Sequence, residues 1–257
     1  MLPLSGTDLS SDDVFKLTNQ TSLTPDMKAL SAAELSVLEG IDTSSDEPLV
    51  LILHTHATEC YSQSSGESYV STEPTRCDDT QSNVVAVGRD IAGVLCDFGI
   101  KTIHSDVLHD KASFIKAYSA SKGTAQWYLE HYPSIRFVID VHRDAIIRDS
   151  GEKIKPVASI AGESCAQLML VVGSNASGSN HPNWQENLAL AAKLQAKGKE
   201  MYPSLFRPIN LRTSPFNQNL SKGYMLLEVG SCGNSLDEAK RSGRDFAAVL
   251  AKVIKSE

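Results

Sequence analysis

At 257 residues and 41% hydrophobic, the chain is long enough to bury one sizeable core, and its composition shows no repeat or fibrous bias, so one main domain is expected. A net charge of −7 and a sequence pI near 5.5 exclude the basic face or stripe of a nucleic-acid binder. No run approaches the roughly 18 apolar residues that span a membrane, and the start MLPLSGTDLSSDDVF lacks the basic-then-apolar order of a signal peptide.

Residues 1–47 are polar and rich in Ser, Thr and Asp, and they end in the turn signal IDTSSDEP; they read as an N-terminal extension to a domain covering 48–257. Leu49 to Leu53 is a short, continuously apolar run after a proline, the pattern of a strand buried on both faces. Val84, Val87, Ile91, Val94, Leu95 and Phe98 recur at three- and four-residue steps before Gly99, which predicts an amphipathic helix with a glycine stop. A short strand at 100–103, a helix over about 112–131 and a buried strand at 136–141 follow. Further strands are expected at 157–160, 168–172 and 224–229, with helices at 184–199 and 236–254. Strands alternating with helices predict an α/β fold, a mostly parallel central sheet covered by helices on both faces. In such sheets ligands bind beyond the carboxyl ends of the strands.

Ionisable residues cluster at those ends. LVLILHTHATE places His54, His56 and Glu59 after the first strand, FVIDVHRDA places His142, Arg143 and Asp144 after another, and YMLLEVGS places Glu228 on a late one. Imidazoles and carboxylates converging at one sheet edge are the ingredients of a zinc site with an open position. Each has a structural alternative. The His54/His56 alternation is also found in ordinary strands, and His142 also reads as a hydrogen-bonded core histidine. Asp79, where the first long helix begins, suits an N-cap as well as a metal. Glu228 is harder to explain away, because a carboxylate beside Met-Leu-Leu is costly to bury without a partner. Five cysteines without a CxxC pair exclude a zinc knuckle; Cys60 and Cys77 flank one loop and read as free thiols sooner than as a bridge. His181 and Trp184 open a helix after a Gly/Ser-rich loop, and either contact substrate or pack; Arg212 suits bidentate pairing with a substrate carboxylate.

The strings LILHTHATECYS, DDTQSNVVAVGRDI, FVIDVHRDA, VVGSNASGSNHPNWQENLALAAKL and FNQNLSKGYMLLEVGSCGNSLDEA resemble, in order and spacing, the stage II sporulation protein P family over roughly residues 48–255. The resemblance implies kinship with zinc amidases that cut the N-acetylmuramoyl-L-alanine bond, and with them an amidase-like fold. It selects His56 as a zinc ligand, with His54 as rival or supporting residue, Asp79 and His142 as the other ligands, and Glu228 as general base. An aspartate stands where the wider amidase group has a glutamate. The resemblance also implies peptidoglycan as substrate, possible cutting of peptide cross-links, and engulfment in a spore-forming bacterium beside the D and M proteins of the same stage. The location it implies is extracytoplasmic, through an N-terminal membrane anchor that this chain lacks. Two alternatives are a zinc peptidase or deacylase acting on another amide, and a noncatalytic wall-binding module of the same fold.

Overall fold

The computed structural model describes residues 1–9, 16–64, 68–69 and 72–256. In chain order the elements are β1 (Leu2–Thr7), β2 (Leu17–Asn19), α1 (Met27–Ala32), β3 (Val50–Leu53), β4 (Ser68–Tyr69), α2 (Val84–Asp97), β5 (Thr102–His104) and α3 (Ala117–His131). They continue with β6 (Phe137–Asp144), β7 (Lys153–Ile160), β8 (Glu163–Ala166), β9 (Leu168–Gly173), α4 (Trp184–Met201), β10 (Ile209–Arg212), β11 (Gly223–Ser231) and α5 (Leu236–Ile254).

Among the described residues a seven-stranded sheet runs in the order β2-β10-β9-β11-β6-β3-β5, and a smaller sheet joins β4-β1-β7-β8. The α/β class holds. The large sheet is mixed, not purely parallel: β11 pairs antiparallel with β9, while its pairing with β6 and that of β3 with β6 are parallel. The reason lies in the connections. Between β6 and β9 the chain makes the antiparallel β7–β8 hairpin in place of a helical crossover, so β9 re-enters the sheet in the opposite sense.

Alternation along the central strands divides the core. Val50, Ile52, Phe137, Ile139, Val141, Met225 and Leu227 face the large cluster with residues of α2, α4 and α5. Leu51, Leu53, Val138 and Tyr224 face the other way, against Ala125, Tyr128 and Leu129 of α3. One face is therefore sealed by three long helices and the other by α3, which leaves the second thinner near the strand ends. Expected helix and strand positions agree to within a few residues, except that α3 begins at Ala117 because residues 111–116 form turns. Gly99 takes φ +77° after α2, the left-handed stop that its position requires.

The N-terminal stretch contributes strands of its own. β1 pairs with β4 and β7, β2 adds an edge beside β10, and α1 packs on α4. Among the described residues no helix is long and apolar enough to cross a membrane. All five cysteines are free thiols.

Candidate functional site

Register fixes the site. Leu53 of β3 lies opposite Asp140 of β6, and His142 of β6 lies opposite Glu228 of β11. The alternation that puts Leu53, Val138 and Tyr224 under α3 therefore puts Asp140, His142 and Glu228 on the same side. β3 ends at Leu53, and the chain then turns, with Glu59 N–H donating to His56 O at 3.1 Å. Asp140 anchors that turn: its carboxylate accepts from the Thr55 N–H at 2.7 Å and the Thr55 hydroxyl at 2.6 Å.

The turn delivers His56 to the α3 side. Its ring stacks on Phe114 with centroids 4.2 Å apart and meets Tyr118 edge-on at 5.5 Å. The His142 ring lies 5.5 Å from that of His56 at an interplanar angle of 80°. Phe114 is itself sandwiched, with the Arg76 guanidinium 4.2 Å from its other face. Beyond it, Thr58, Arg76, Asp110, Lys111 and Phe114 line a cavity of about 260 Å³. Larger cavities of about 330 and 510 Å³ share Leu38 and Ser256, at the far end of α5 from the histidines.

Four buried polar atoms here have no hydrogen-bond partner: His56 Nδ1, His142 Nε2, Glu228 Oε2 and the Tyr224 hydroxyl near Asp140. Such atoms are expensive, and a site that needs them for a ligand is the usual reason they persist. Asp110 Oδ2 is 3.7 Å from His56 Nδ1, too far to satisfy it. Asp140 Oδ1 is 3.0 Å from His142 Nε2 but off the hydrogen-bonding direction, so their attraction is chiefly one of charge. Glu59 Oε2 stands 3.6 Å from His142 Nδ1 and accepts the Arg143 N–H at 3.1 Å.

Burial alone would depress His142, but the neighbouring carboxylates of Asp140 and Glu59 outweigh it and hold the ring well above the ordinary histidine range. Burial likewise opposes charge on Glu59, yet His142 and Arg143 bring its carboxyl below the usual value. Glu228 goes the other way. Burial pushes it up to about 8; His142 and Arg143 pull back, while Glu59 and Asp144 add to the rise. The residue as a whole is half-buried, but Oε2 is sealed from solvent.

The sequence-selected residues separate into groups. His56, His142 and Glu228 converge. His54 does not join them: Val50, Ile52 and His54 alternate onto the α2 face, where His54 meets His104 at 2.9 Å and Gly88. Two residues apart in sequence thus does not mean one face, because the strand ends between them. Asp79 is exposed, its carboxylate accepting from Gln81 N–H and the Ser82 hydroxyl; Asn83, not Asp79, caps α2. The carboxylates beside the histidines are Asp140, Glu59 and Asp110. His181 is buried against Asn187 at 3.0 Å, in a packing position at the start of α4. Arg212 ends β10 on the exposed side, near enough for its charge to be felt by the Tyr118 hydroxyl, which burial drives far above its normal range. Asp110, Phe114, Tyr118 and Asp140 were not singled out from the sequence. Asp140 carried a signal, an aspartate inside the apolar run FVIDV.

Among the described residues no three His, Cys, Asp or Glu side chains are grouped closely enough to hold a metal ion. The pair nonetheless suits zinc at two corners. Two imidazoles on one tetrahedral zinc place their ring centroids about 5 Å apart, given Zn–N bonds of roughly 2 Å. The spacing here is 5.5 Å, and each ring keeps an unpartnered buried nitrogen. A third protein donor is not in place; Asp140 lies 3.0 Å from His142 Nε2, Glu59 3.6 Å from His142 Nδ1 and Asp110 3.7 Å from His56 Nδ1.

The family model for stage II sporulation protein P (SpoIIP) matches residues 7–251. The stage II sporulation protein P of Bacillus subtilis (strain 168) is 30% identical over 223 residues, covering 82% of this chain and 52% of the relative. The chain thus spans about half the length of the curated relative it matches. Among solved structures, the CwlD amidase from Clostridioides difficile, in complex with the GerS lipoprotein, is similar with a TM-score of 0.48 and 11% identity, covering 81% of this chain and 97% of that one. The N-acetylmuramyl-L-alanine amidase Ami1 from Mycobacterium smegmatis is similar with a TM-score of 0.45 and 10% identity, covering 83% and 100%.

Proposed function

The chain belongs to the stage II sporulation protein P family, and from that membership and the site on the α3 face we propose that it is a zinc-dependent peptidoglycan hydrolase, cutting the amide between N-acetylmuramic acid and L-alanine of the stem peptide. The observation that carries the reading is the pairing of the His56 and His142 rings, 5.5 Å apart, with Glu228 opposite His142 in the sheet and its Oε2 buried without a partner. His56 and His142 would hold the metal, with Glu59, 3.6 Å from His142 Nδ1, rather than the exposed Asp79 as the carboxylate ligand. A bound zinc would supply Lewis acidity toward the scissile carbonyl and make water easier to deprotonate.

The chain's own groups do the rest. Glu228 Oε2 takes the proton of the attacking water and returns it to the amine that leaves with L-alanine. Burial raises the Glu228 carboxyl to about 8 in the metal-free site, and the positive charge of a bound zinc would favour the ionised, proton-accepting form that a general base needs. Asp140 fixes the His56 turn through Thr55 and faces His142 Nε2 at 3.0 Å, which would leave His142 Nδ1, on the Glu59 side, toward the metal, so a single buried carboxylate sets both imidazoles. Phe114 and Tyr118 cover His56 and exclude water. Arg212, at the rim, is placed to pair with a stem-peptide carboxylate.

The setting that goes with this chemistry is extracytoplasmic, during engulfment, with the D and M proteins of the same stage as partners. Digesting purified sacculi and analysing the products tests the proposal. Stem peptides with a free L-alanine amine, and glycan stripped of peptide, are the expected products. Cut cross-links with stems still attached to muramic acid would make it an endopeptidase; intact sacculi in the presence of zinc would make it a binding module.

A further inference from the structure

Along the helix that covers the site, α3 carries an aromatic cluster that the proposed chemistry does not use. Trp127 is 49% exposed. Its indole stacks on His131 with centroids 4.2 Å apart and an interplanar angle of 20°, and Tyr128 meets it edge-on at 5.0 Å. His131 Nδ1 donates to the Trp127 carbonyl at 2.7 Å, which pins the imidazole on the indole and leaves Nε2 as an acceptor facing water. Tyr128 and Tyr132 pack on the apolar cluster beneath α3, so the platform rests on fixed side chains.

The surface beside it is shaped and uncharged. Ser119, Gly123, Trp127 and His131 recur every fourth residue and so form one ridge of the helix. Nothing lies within 4 Å of where a Cβ on Gly123 would sit, so open space adjoins the indole. In a chain with 24 basic and 31 acidic residues this ridge holds no Lys, Arg, Asp or Glu, and its flanks, Lys122 and Glu130, are opposite in sign. An acidic polymer or a membrane surface would call for clustered Lys and Arg. A neutral polysaccharide asks for an aromatic face, because the C–H groups on one side of a sugar ring meet the electron-rich indole face favourably. Tyr118, beside His56, is nine residues from Trp127, about 13.5 Å and two and a half turns along the helix, so Tyr118 faces the site while Trp127 stands on the opposite, outer face of α3.

We propose that the Trp127–His131 platform docks the glycan strand, stacking on one aminosugar ring of the polymer while the peptide-bearing unit lies at His56 and His142. This assignment rests on the peptidoglycan reading, but its test does not need bond cleavage. Trp184→Phe makes Trp127 the chain's single tryptophan, since the sequence holds two. Titrating that variant with the β-1,4-linked hexamer of N-acetylglucosamine is expected to give a saturable change in indole emission. In the otherwise native chain, Trp127→Ala is expected to weaken retention on purified sacculi roughly tenfold with an unchanged melting temperature, and Trp127→Tyr to restore most of it. The alanine variant should still release stem peptide from a small soluble disaccharide-peptide at the normal rate. Emission unmoved by the hexamer, together with normal sacculus retention by Trp127→Ala, would overturn the docking assignment. So would an equal loss on soluble and insoluble substrate, which would put Trp127 in the chemistry instead. A chain that binds glycan through Trp127 yet cuts nothing would overturn the hydrolase reading and leave this one standing.

Discussion

Two histidine pairs stand back to back at the carboxyl end of the central sheet. On the α2 face, His54 and His104 satisfy each other. His54 Nδ1 faces the Val141 carbonyl at 3.1 Å, so it carries the proton, and His54 Nε2 accepts from His104 Nε2 at 2.9 Å. Burial, reinforced by the facing ring, drives His54 down to about 3. On the α3 face, His56 and His142 keep a bare nitrogen each, amid Asp110, Asp140, Glu59 and Glu228. The same residue type, two positions apart, is saturated on one side and open on the other. Hydrogen-bond completeness, rather than burial or sequence spacing, separates the two pairs, and it makes the α3 pair the one proposed for the chemistry.

The comparison breaks most visibly at Glu228. Glu228→Gln keeps the shape and removes the proton acceptor, so stem-peptide release should fall by about 10²- to 10⁴-fold with zinc and fold retained. Near-normal turnover by the zinc-loaded variant would remove Glu228 from the mechanism. Asp140→Asn comes next. It keeps a partner for Thr55 but withdraws the charge beside His142, and zinc affinity measured against a chelator should drop by roughly 10- to 100-fold.

The closed pair responds through stability instead. A Cβ on Gly88 would sit 2.5 Å from His54 Cε1 and 2.9 Å from His104 Nε2. Gly88→Ala should therefore cost roughly 1–3 kcal/mol in a denaturant melt, as overpacking does, while the folded fraction still binds zinc. The smallest effect is on pH dependence. Burial, with Arg89 nearby, lowers His104 to about 4 from its ordinary 6.5, so between those values the unfolded chain binds the extra proton. His104 thus contributes stability that is present above pH 6.5 and lost as pH falls toward 4. Metal-free His104→Gln should show a shallower decline over that window, and an identical pH profile would mean that His104 titrates alike in both states.

Much of this was legible in the sequence. The apolar runs LVLIL, RFVIDV and YMLLEV marked the central strands, and the residues that follow or interrupt them, His56, His142 and Glu228, are the ones that converge. Other parts were not, for identifiable reasons. The strands β1 and β2 lie in polar sequence and owe their existence to distant partners at sheet edges, which no local periodicity announces. The reversed sense of β9 depends on a hairpin in another sheet. His54 and His56 could not be told apart, because the alternation rule assumes a strand that continues, and β3 stops at Leu53. Asp79 stands before α2 and Glu59 just after β3, and only the folded turn brings Glu59 to His142 while leaving Asp79 in water.

The most direct test of the distinction between the two faces is bound zinc and stem-peptide release, measured together on folded His56→Ala and folded His54→Ala isolated by gel filtration. The His56 variant should lose both the metal and the activity, and the His54 variant should keep stoichiometric zinc despite a lower melting temperature. Stoichiometric zinc in His56→Ala with loss of zinc from His54→Ala would reverse the assignment and place the chemistry on the α2 face.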